Sequence, residues 1–319
     1  MNLEEKIEIY KKELAVARQT DDSLGESTAL KNLGKGYADL GEVRKAIPYY
    51  EMELEIARTA GERKDEGEIL GNLGFAYANL GEMNKAIEYH EKAISIFGQI
   101  GDRSSEAAAQ GNLGLTYRMF DDLIRAVTCF LKQLEIARKT GDQRNEAFAL
   151  RYIGLGYNDG EAHEQAIEYY EQALVFYLIL GDRQGQGNIY SNLGSAFDGL
   201  CKVNKSHECF NKALAIFHNI NDRRGEATTY DQFGIALEED GELLEAIKNY
   251  KKAVEIFIEI NDRRGAANTL SHLAVALHQI GEKEFGIKIM KQAREIFQSI
   301  GSPHLIFAWQ KLKEWGVKD

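Results

Sequence analysis

The sequence repeats with a period of 40 residues, and no insertion or deletion interrupts the repeat. Glycine marks this period in six consecutive copies and alanine marks it in the seventh: Gly34, Gly74, Gly114, Gly154, Gly194, Gly234 and Ala274. A fixed period of roughly 20 to 50 residues is typical of stacked units that bury their apolar faces only against their neighbours. A length of 319 residues is enough for two separate domains, but the period predicts one continuous stack over residues 1–319.

Within one unit, the apolar residues follow the spacing of an α-helix twice. Leu30, Leu33, Gly34 and Tyr37 fall at i, i+3, i+4 and i+7, and helical spacing resumes from Ala46 in the second half of the unit. The whole chain contains only 2 prolines, and proline is the residue that interrupts helices and punctuates loops. We therefore predict an all-α fold of antiparallel helix pairs, with about 16 helices in total.

Short breaks separate the predicted helices, and their residue types indicate how each helix ends. Gly or Asn at the break supplies the left-handed residue that ends one helix, and Asp after it caps the next. Asparagine at two of the breaks fits this interpretation, because asparagine also tolerates positive φ. The six breaks between units are Gly61-Glu62, Gly101-Asp102, Gly141-Asp142, Gly181-Asp182, Asn221-Asp222 and Asn261-Asp262.

The repeat divides the chain into three parts. Residues 2–20 match only the second helix of a unit, residues 22–301 form seven whole units, and residues 302–316 form a terminal helix that shields the last apolar face. Pro303 is expected just inside the start of that terminal helix. Pro48 lies inside a predicted helix, at an outward position where a kink is tolerated.

A unit of this kind resembles the tetratricopeptide repeat. Gly34 stands at the small position of that family's first helix, and Ala46 and Tyr50 match its second helix. The longer unit without a closing proline, the Asn-Leu-Gly motif at Asn72 and the Gly-Asp-Arg junction at Gly101 are similar to the LGN/Pins spindle adaptors and rapsyn. The resemblance implies a right-handed superhelical α-solenoid that holds a peptide of a partner protein in its concave groove. The adaptors' Gα-binding motifs are absent, so their particular role is not expected here.

In such an array, the first helix of each unit lines the groove with the face opposite its buried stripe. One column of that face is nearly uniform: Asn32, Asn72, Asn112, Tyr152, Asn192, Gln232 and His272. Carboxamides at one level offer paired donors and acceptors, which suit the backbone of an extended peptide. The alternative is that these amides bond only to neighbouring helices or to water.

Further groove positions add apolar and charged side chains. The remaining candidate site residues are Lys35, Phe75, Leu115, Arg118, Arg151, Leu155, Asp198, Asp231 and Glu238. The apolar members mark a binding surface in the middle of the groove, and the acidic members concentrate in units five and six. We predict a peptide with apolar anchors in its middle and basic residues beside units five and six, unless the acidic run is simply a solvated face.

The composition excludes several classes of partner. A net charge of −11 repels phosphate backbones and anionic membrane surfaces, so neither nucleic acid nor a membrane is expected as a partner. No stretch reaches the length of a membrane span. The 3 cysteines lack CxxC spacing and cannot all pair, which favours a reducing, cytoplasmic location.

The sequence also lacks the patterns of an active site. Neither a phosphate-binding glycine loop nor an HExxH pair occurs, and the spacings of His207 with Cys209 and of His272 with His278 do not suit a metal site. A repeat spreads equivalent residues along a line, whereas catalysis needs polar groups that converge in a pocket. We predict a non-enzymatic protein without a cofactor or metal.

Two other functions stay open at this point. The last helix, with Trp309 and Trp315, is apolar enough either to cap the stack or to pair two copies in a homo-oligomeric structural protein. Capping is the preferred interpretation. A peptide-responsive regulator is the other alternative, although such relatives carry an added helical output domain for which this chain has no room.

Overall fold

The computed structural model describes residues 2–317, and within that range it contains sixteen α-helices and no β-strand. This confirms the predicted all-α class and the expected number of helices. The helices group into two compact bodies, Met1–Gly156 and Tyr157–Asp319. Each is larger than the 40-residue repeat, and from here on they are called the first and the second unit. The continuous stack expected from the period stays a prediction.

The boundary between the units falls inside α8. The first helices of the chain are α1 Leu3–Gln19, α2 Ser23–Asp39, α3 Val43–Ala60, α4 Arg63–Asn79, α5 Met83–Ile100, α6 Arg103–Met119, α7 Leu123–Thr140 and α8 Gln143–Asp159. The second unit continues with α9 His163–Ile179, α10 Arg183–Gly199, α11 Val203–Asn219, α12 Arg223–Glu239, α13 Leu243–Glu259, α14 Arg263–Gln279, α15 Lys283–Ile300 and α16 Leu305–Glu314.

Within a pair, the two helices approach closely because glycine faces an aromatic ring. A β-carbon at Gly34 would lie 2.5 Å from the ring of Tyr50, and one at Gly234 would lie equally close to the ring of its partner tyrosine. Real β-carbons essentially never come so near another heavy atom, so a larger residue would overpack the pair. In the seventh pair Ala274 replaces the glycine and Met290, a flexible side chain, replaces the ring.

A residue with positive φ ends a helix at every twentieth position. The predicted role of Gly and Asn at the breaks is confirmed, and the same conformation also occurs at residues of other types. The residues concerned are Asp21, Gly41, Gly61, Gly81, Gly101, Asp121, Gly141, Glu161, Gly181, Cys201, Asn221, Gly241, Asn261, Gly281 and Gly301.

The acidic residue after each break caps the next helix where it is aspartate. The side chain of Asp102 accepts a hydrogen bond from the backbone N–H of Ser105 at 3.1 Å, and Asp182 accepts one from Gly185 at 2.8 Å. Glu62 stands at the equivalent position of α4 without such a bond. The predicted caps are therefore confirmed at aspartate, whereas Glu62 forms none, because the cap geometry suits the shorter side chain.

The terminal helix begins two residues later than expected, at Leu305 rather than around Pro303. The backbone N–H of Leu305 bonds to the carbonyl of Ser302 at 3.2 Å, so a separate turn precedes the helix. Ala308 and Leu312 of this helix are buried, and it packs against α15. These contacts fit a cap.

Pro48 lies exposed within α3, which continues without a break from Val43 to Ala60. The missing N–H of Pro48 therefore removes one backbone bond but does not end the helix. Among residues 2–317, no helix is both long and apolar enough to cross a membrane. The cytoplasmic location stays a prediction.

The exposed Cys201 adopts a φ of 54°, which strains a residue with a β-carbon. We expect Cys201→Gly to stabilise the protein against urea by about 0.5–1 kcal/mol, because glycine relieves that strain. The matched control is Gly181→Ala, at a φ of 65° in the same unit, which should destabilise by a similar amount. Equal unfolding midpoints for wild type and Cys201→Gly would contradict the assignment of strain.

Candidate functional site

The first unit carries a cavity of about 580 Å³, which is lined mainly by α2, α4 and α6, the first helices of three successive helix pairs. We call this cavity the α4 cavity, because α4 runs through the middle of its lining. The lining comprises Lys31, Lys35, Ala38 and Asp39 of α2, Tyr50 of α3, Gly67, Glu68, Gly71 and Asn72 of α4, Ala93 and Phe97 of α5, and Ser105, Ala108, Ala109 and Asn112 of α6. Three of the predicted site residues, Lys35, Asn72 and Asn112, thus come together at one place.

The two asparagines of the α4 cavity are half-buried, and their side-chain amides have no hydrogen-bond partner among the described residues. Neither Asn72 nor Asn112 forms a side-chain hydrogen bond within residues 2–317. Asn32 is half-buried too but does not line the cavity. Two carboxamides without a protein partner, at one partly open cavity, are available to a ligand.

A buried glutamate, which sequence reasoning missed, stands beside the α4 cavity. Glu53 is only 3% exposed, and its Oε2 atom has no hydrogen-bond partner in the described part of the chain. Burial raises the pKa of Glu53 to about 7, although the nearby ammonium of Lys31 opposes the shift. A sequence signal existed, since five of the seven copies carry alanine in this column.

The predicted apolar residues of the first unit are used mainly for packing. The ring of Phe75 meets the buried ring of His90 edge-on at 5.1 Å. Tyr152 stacks on Phe130 at 5.0 Å, and the guanidinium of Arg151 lies 4.7 Å from the Tyr152 ring centre. The other two apolar residues, Leu115 and Leu155, and the predicted cation Arg118 are half-buried and lie outside the lining of the α4 cavity.

In the second unit, two acidic residues of the predicted site already have partners. The carboxylate of Asp231 lies 2.9 Å from Nδ1 of His272, and the hydroxyl of Tyr250 donates to Glu238 at 2.9 Å. Burial alone lowers the pKa of His272, but the hydrogen bond and charge of Asp231 outweigh it and raise that pKa. His272 and Phe307 line two adjoining cavities of about 260 and 460 Å³, one beside each of these carboxylates.

The third acidic residue, Asp198, shares its surroundings with another carboxyl group. Burial, together with the charge and hydrogen bond of Glu239, raises the pKa of Asp198 to about 7. The negative charge of this region is therefore smaller at neutral pH than the count of acidic side chains implies. Two carboxamides of the predicted column also lie in this unit: the buried amide nitrogen of Asn192 has no partner among the described residues, and Gln232 accepts a hydrogen bond from Ser191 at 2.5 Å.

A metal site needs several ligating side chains at one place. Across residues 2–317, no group of three or more His, Cys, Asp and Glu side chains is arranged to hold a metal ion. Cys129 and Cys209 are buried, and burial raises the pKa of each thiol to about 11. Both thiols are thus protonated at neutral pH.

Comparison with known families settles the type of repeat. Models of the tetratricopeptide repeat match residues 29–64, 65–139, 105–178 and 225–299, which together make up more than half of the chain. The chain belongs to the tetratricopeptide repeat family. The likeness to the LGN/Pins adaptors and rapsyn stays a prediction, and a search of curated protein sequences finds no match.

Several solved structures share the fold of this tetratricopeptide repeat protein. The apo form of RapI aligns with a TM-score of 0.70 and 17% identity, covering 86% of this chain and 99% of that one. The Rap conjugation gene regulator of plasmid pLS20, in complex with the Phr* peptide, aligns at 0.69 and 14% identity, covering 89% and 77%. At such identities the likeness shows the fold alone.

A third similar structure is longer than this chain. It is a signal-transduction ATPase with numerous domains, carrying a tetratricopeptide repeat sensor, from Pyrococcus horikoshii. It aligns with a TM-score of 0.65 and 21% identity, and the match covers 96% of this chain but only 46% of the ATPase.

The raised pKa of Glu53 makes stability depend on pH. Its folded pKa of about 7 lies above the ordinary value of 4.5, so stability is lost as pH rises through this window. We expect Glu53→Gln to stabilise the protein by about 1–2 kcal/mol at pH 8, allowing for water near the carboxyl, and to change little at pH 4.5. Thermal unfolding at both pH values measures this.

The control for this pH dependence is Glu55→Gln in the same helix, whose side chain is 74% exposed. It should leave the pH profile of stability unchanged. If Glu53→Gln and Glu55→Gln gave the same profile, Glu53 would not carry the proposed proton.

Proposed function

We propose that this protein is a non-enzymatic scaffold that binds a peptide segment of a partner protein on the first-helix face of its first unit. The observation that carries the proposal is the pair of unoccupied amides, Asn72 and Asn112, at the α4 cavity. Each amide presents an acceptor and two donors, and this combination matches the alternating C=O and N–H groups of an extended backbone.

The surroundings of these amides suit a peptide better than a small reactive substrate. The cavity is partly open and is lined by alanine and glycine beside the charged residues Lys31, Lys35, Asp39 and Glu68. Apolar ground with a polar rim is the usual composition of a peptide-binding surface. The solved Rap regulator in complex with the Phr* peptide supports the same role, since it shares the fold.

The peptide-responsive regulator is the second candidate, and the same comparison favours it. The Rap regulator of plasmid pLS20 is named as a gene regulator and was solved with a peptide bound. In that case the peptide would be a signal rather than part of a scaffolded partner. Both candidates require peptide binding, so one experiment tests their common premise.

We expect peptides selected from a displayed random library on the wild-type protein to bind Asn72→Ala/Asn112→Ala about 10 to 100 times more weakly. The reason is that each lost amide removes hydrogen bonds with a net value of about 1 kcal/mol. Isothermal titration calorimetry measures the affinities. The matched control is Asn84→Ala, an exposed asparagine on the second helix α5, which should bind like wild type.

Two results would contradict this proposal. One is equal affinity of the selected peptides for wild type and for Asn72→Ala/Asn112→Ala. The other is a failure of the wild-type protein to select any peptide over repeated rounds, with the folded state verified by circular dichroism.

We further propose that basic residues of the partner contact the second unit beside Asp231 and Glu238. Both carboxylates border cavities that are open to a ligand, and Phe307 supplies an apolar wall to each cavity. Because hydrogen bonds from Tyr250 and Gln279 hold Glu238, its position is defined before a ligand arrives. The internal partners reduce the local negative charge but leave both groups able to attract a cation.

This second contact predicts a salt-dependent loss on charge removal. We expect Asp231→Asn/Glu238→Gln to weaken a partner with a basic segment by about tenfold at low salt, and by less at 0.5 M salt, where charges are screened. Affinities measured at both salt concentrations give the result. Glu245→Gln, an exposed acidic residue of α13, is the control. An unchanged affinity at low salt would exclude the basic contact.

A further inference from the structure

Two columns of the repeat, which are in contact in the third helix pair, can be compared from copy to copy. The first-helix column reads Lys31, Gly71, Gly111, Arg151, Ser191, Asp231 and Ser271. The second-helix column, 22 residues later, reads Glu53, Ala93, Gln133, Ala173, Ala213, Ala253 and Ala293. The copy with the least side-chain volume in both columns together is the second, which has glycine opposite alanine.

The third pair shows what normally occupies this space. There a β-carbon at Gly111 would lie 2.6 Å from Oε1 of Gln133, so the glutamine side chain fills the gap that the glycine leaves. Gln133 is 1% exposed and its amide nitrogen donates to Asn145 at 2.9 Å. In the first pair, the large side chains of Lys31 and Glu53 occupy the two columns.

The second pair leaves the same space open. A β-carbon at Gly71 would meet no atom within 4 Å, and both Gly71 and Ala93 line the α4 cavity. Gly71 and Ala93 therefore leave open a part of the cavity of about 580 Å³ that a larger side chain in either column would fill. This volume lies within the range of roughly 300–1,000 Å³ that is typical of ligand pockets, so it is large enough for a whole bulky side chain.

The walls of the cavity define the chemistry of that side chain. Ala93, Phe97 and Ala109 supply apolar surface. Lys35 lies at the same cavity and forms no ion pair within the described part of the chain. An ammonium beside apolar surface suits an aromatic ring, which buries a large apolar area and attracts a cation to its face. The chain uses this contact elsewhere, with Nζ of Lys85 4.8 Å from the Tyr77 ring centre.

We propose that Gly71 and Ala93 create an anchor pocket that receives one aromatic side chain of the bound peptide, with Lys35 over the ring and Asn72 and Asn112 holding the flanking backbone. This inference rests on the proposed function and names the residue type that the site selects. A fully desolvated aromatic anchor is the usual centre of a peptide-binding energy hot spot.

The repeat itself supplies the variant that tests this pocket. Ala93→Gln recreates the Gly–Gln combination that the third pair already folds with, so it fills the pocket without a foreign arrangement. Peptides selected on the wild type should share an aromatic residue at one position. We expect Ala93→Gln to weaken their binding at least tenfold, as measured by calorimetry. Peptides with that aromatic changed to alanine should bind wild type and Ala93→Gln equally.

The control variant is Lys92→Gln, which introduces the same residue type at the neighbouring, exposed position of α5. It should bind the selected peptides like wild type. Circular dichroism and thermal unfolding establish that Ala93→Gln and Lys92→Gln are folded.

Three outcomes would overturn the anchor pocket. The first is a set of selected peptides without a shared aromatic residue. The second is an acidic residue at the peptide position whose contribution to binding is lost in Ala93→Gln, because Lys35 would then form an ion pair instead. Unchanged affinity for Ala93→Gln would also exclude it. If Asn72→Ala/Asn112→Ala still abolished binding in these cases, the proposed function would stand and only the pocket would fail. If no peptide bound the wild type, both would fail.

Discussion

The structure depends on one contact, the approach of a glycine backbone to an aromatic ring, which recurs in most of the helix pairs. The β-carbon that Gly34, Gly114 or Gly194 lacks would lie 2.5, 2.7 or 2.8 Å from the partner ring. This contact sets the distance and rotation of the two helices, because the ring fits only where no side chain opposes it. The rotation in turn decides which residues of the first helix face outward, including Asn72 and Asn112.

The regularity of the repeat makes its exceptions informative. Alanine in the second-helix column is fully buried in five copies, so the fold does not require a polar residue there. Glu53 nevertheless occupies that column, with one carboxylate oxygen that has no partner among the described residues. Gly71 leaves an open gap, whereas the equivalent gap at Gly111, one copy later, is filled by the side chain of Gln133. Proteins break their local rules most often at functional sites, where a loss of stability is offset by binding. Both exceptions lie at or beside the α4 cavity.

Charge in the second unit illustrates how far a formal count departs from the molecule. Asp231 is held by His272, Glu238 accepts from Tyr250, and Asp198 has a pKa of about 7 beside Glu239. The sequence predicts three acidic site residues here but not their partners. Those partners lie on other helices, up to 41 positions away along the chain, and only folding brings them together. The direction of each pKa shift depends on burial and on charged groups from other helices, so it cannot be obtained from one helix alone.

The sequence by itself determined the all-α class, the helix pairs, the left-handed helix ends at Gly and Asn, and the column of carboxamides, because each depends on spacing within about 40 residues. Tertiary structure alone decided which of those carboxamides stay unoccupied. It joined Asn72 and Asn112 at one cavity, engaged Gln232 with Ser191, and turned Phe75 onto His90. These outcomes depend on side chains of different helices filling or leaving space, and a periodic pattern records positions but not the volumes that meet there.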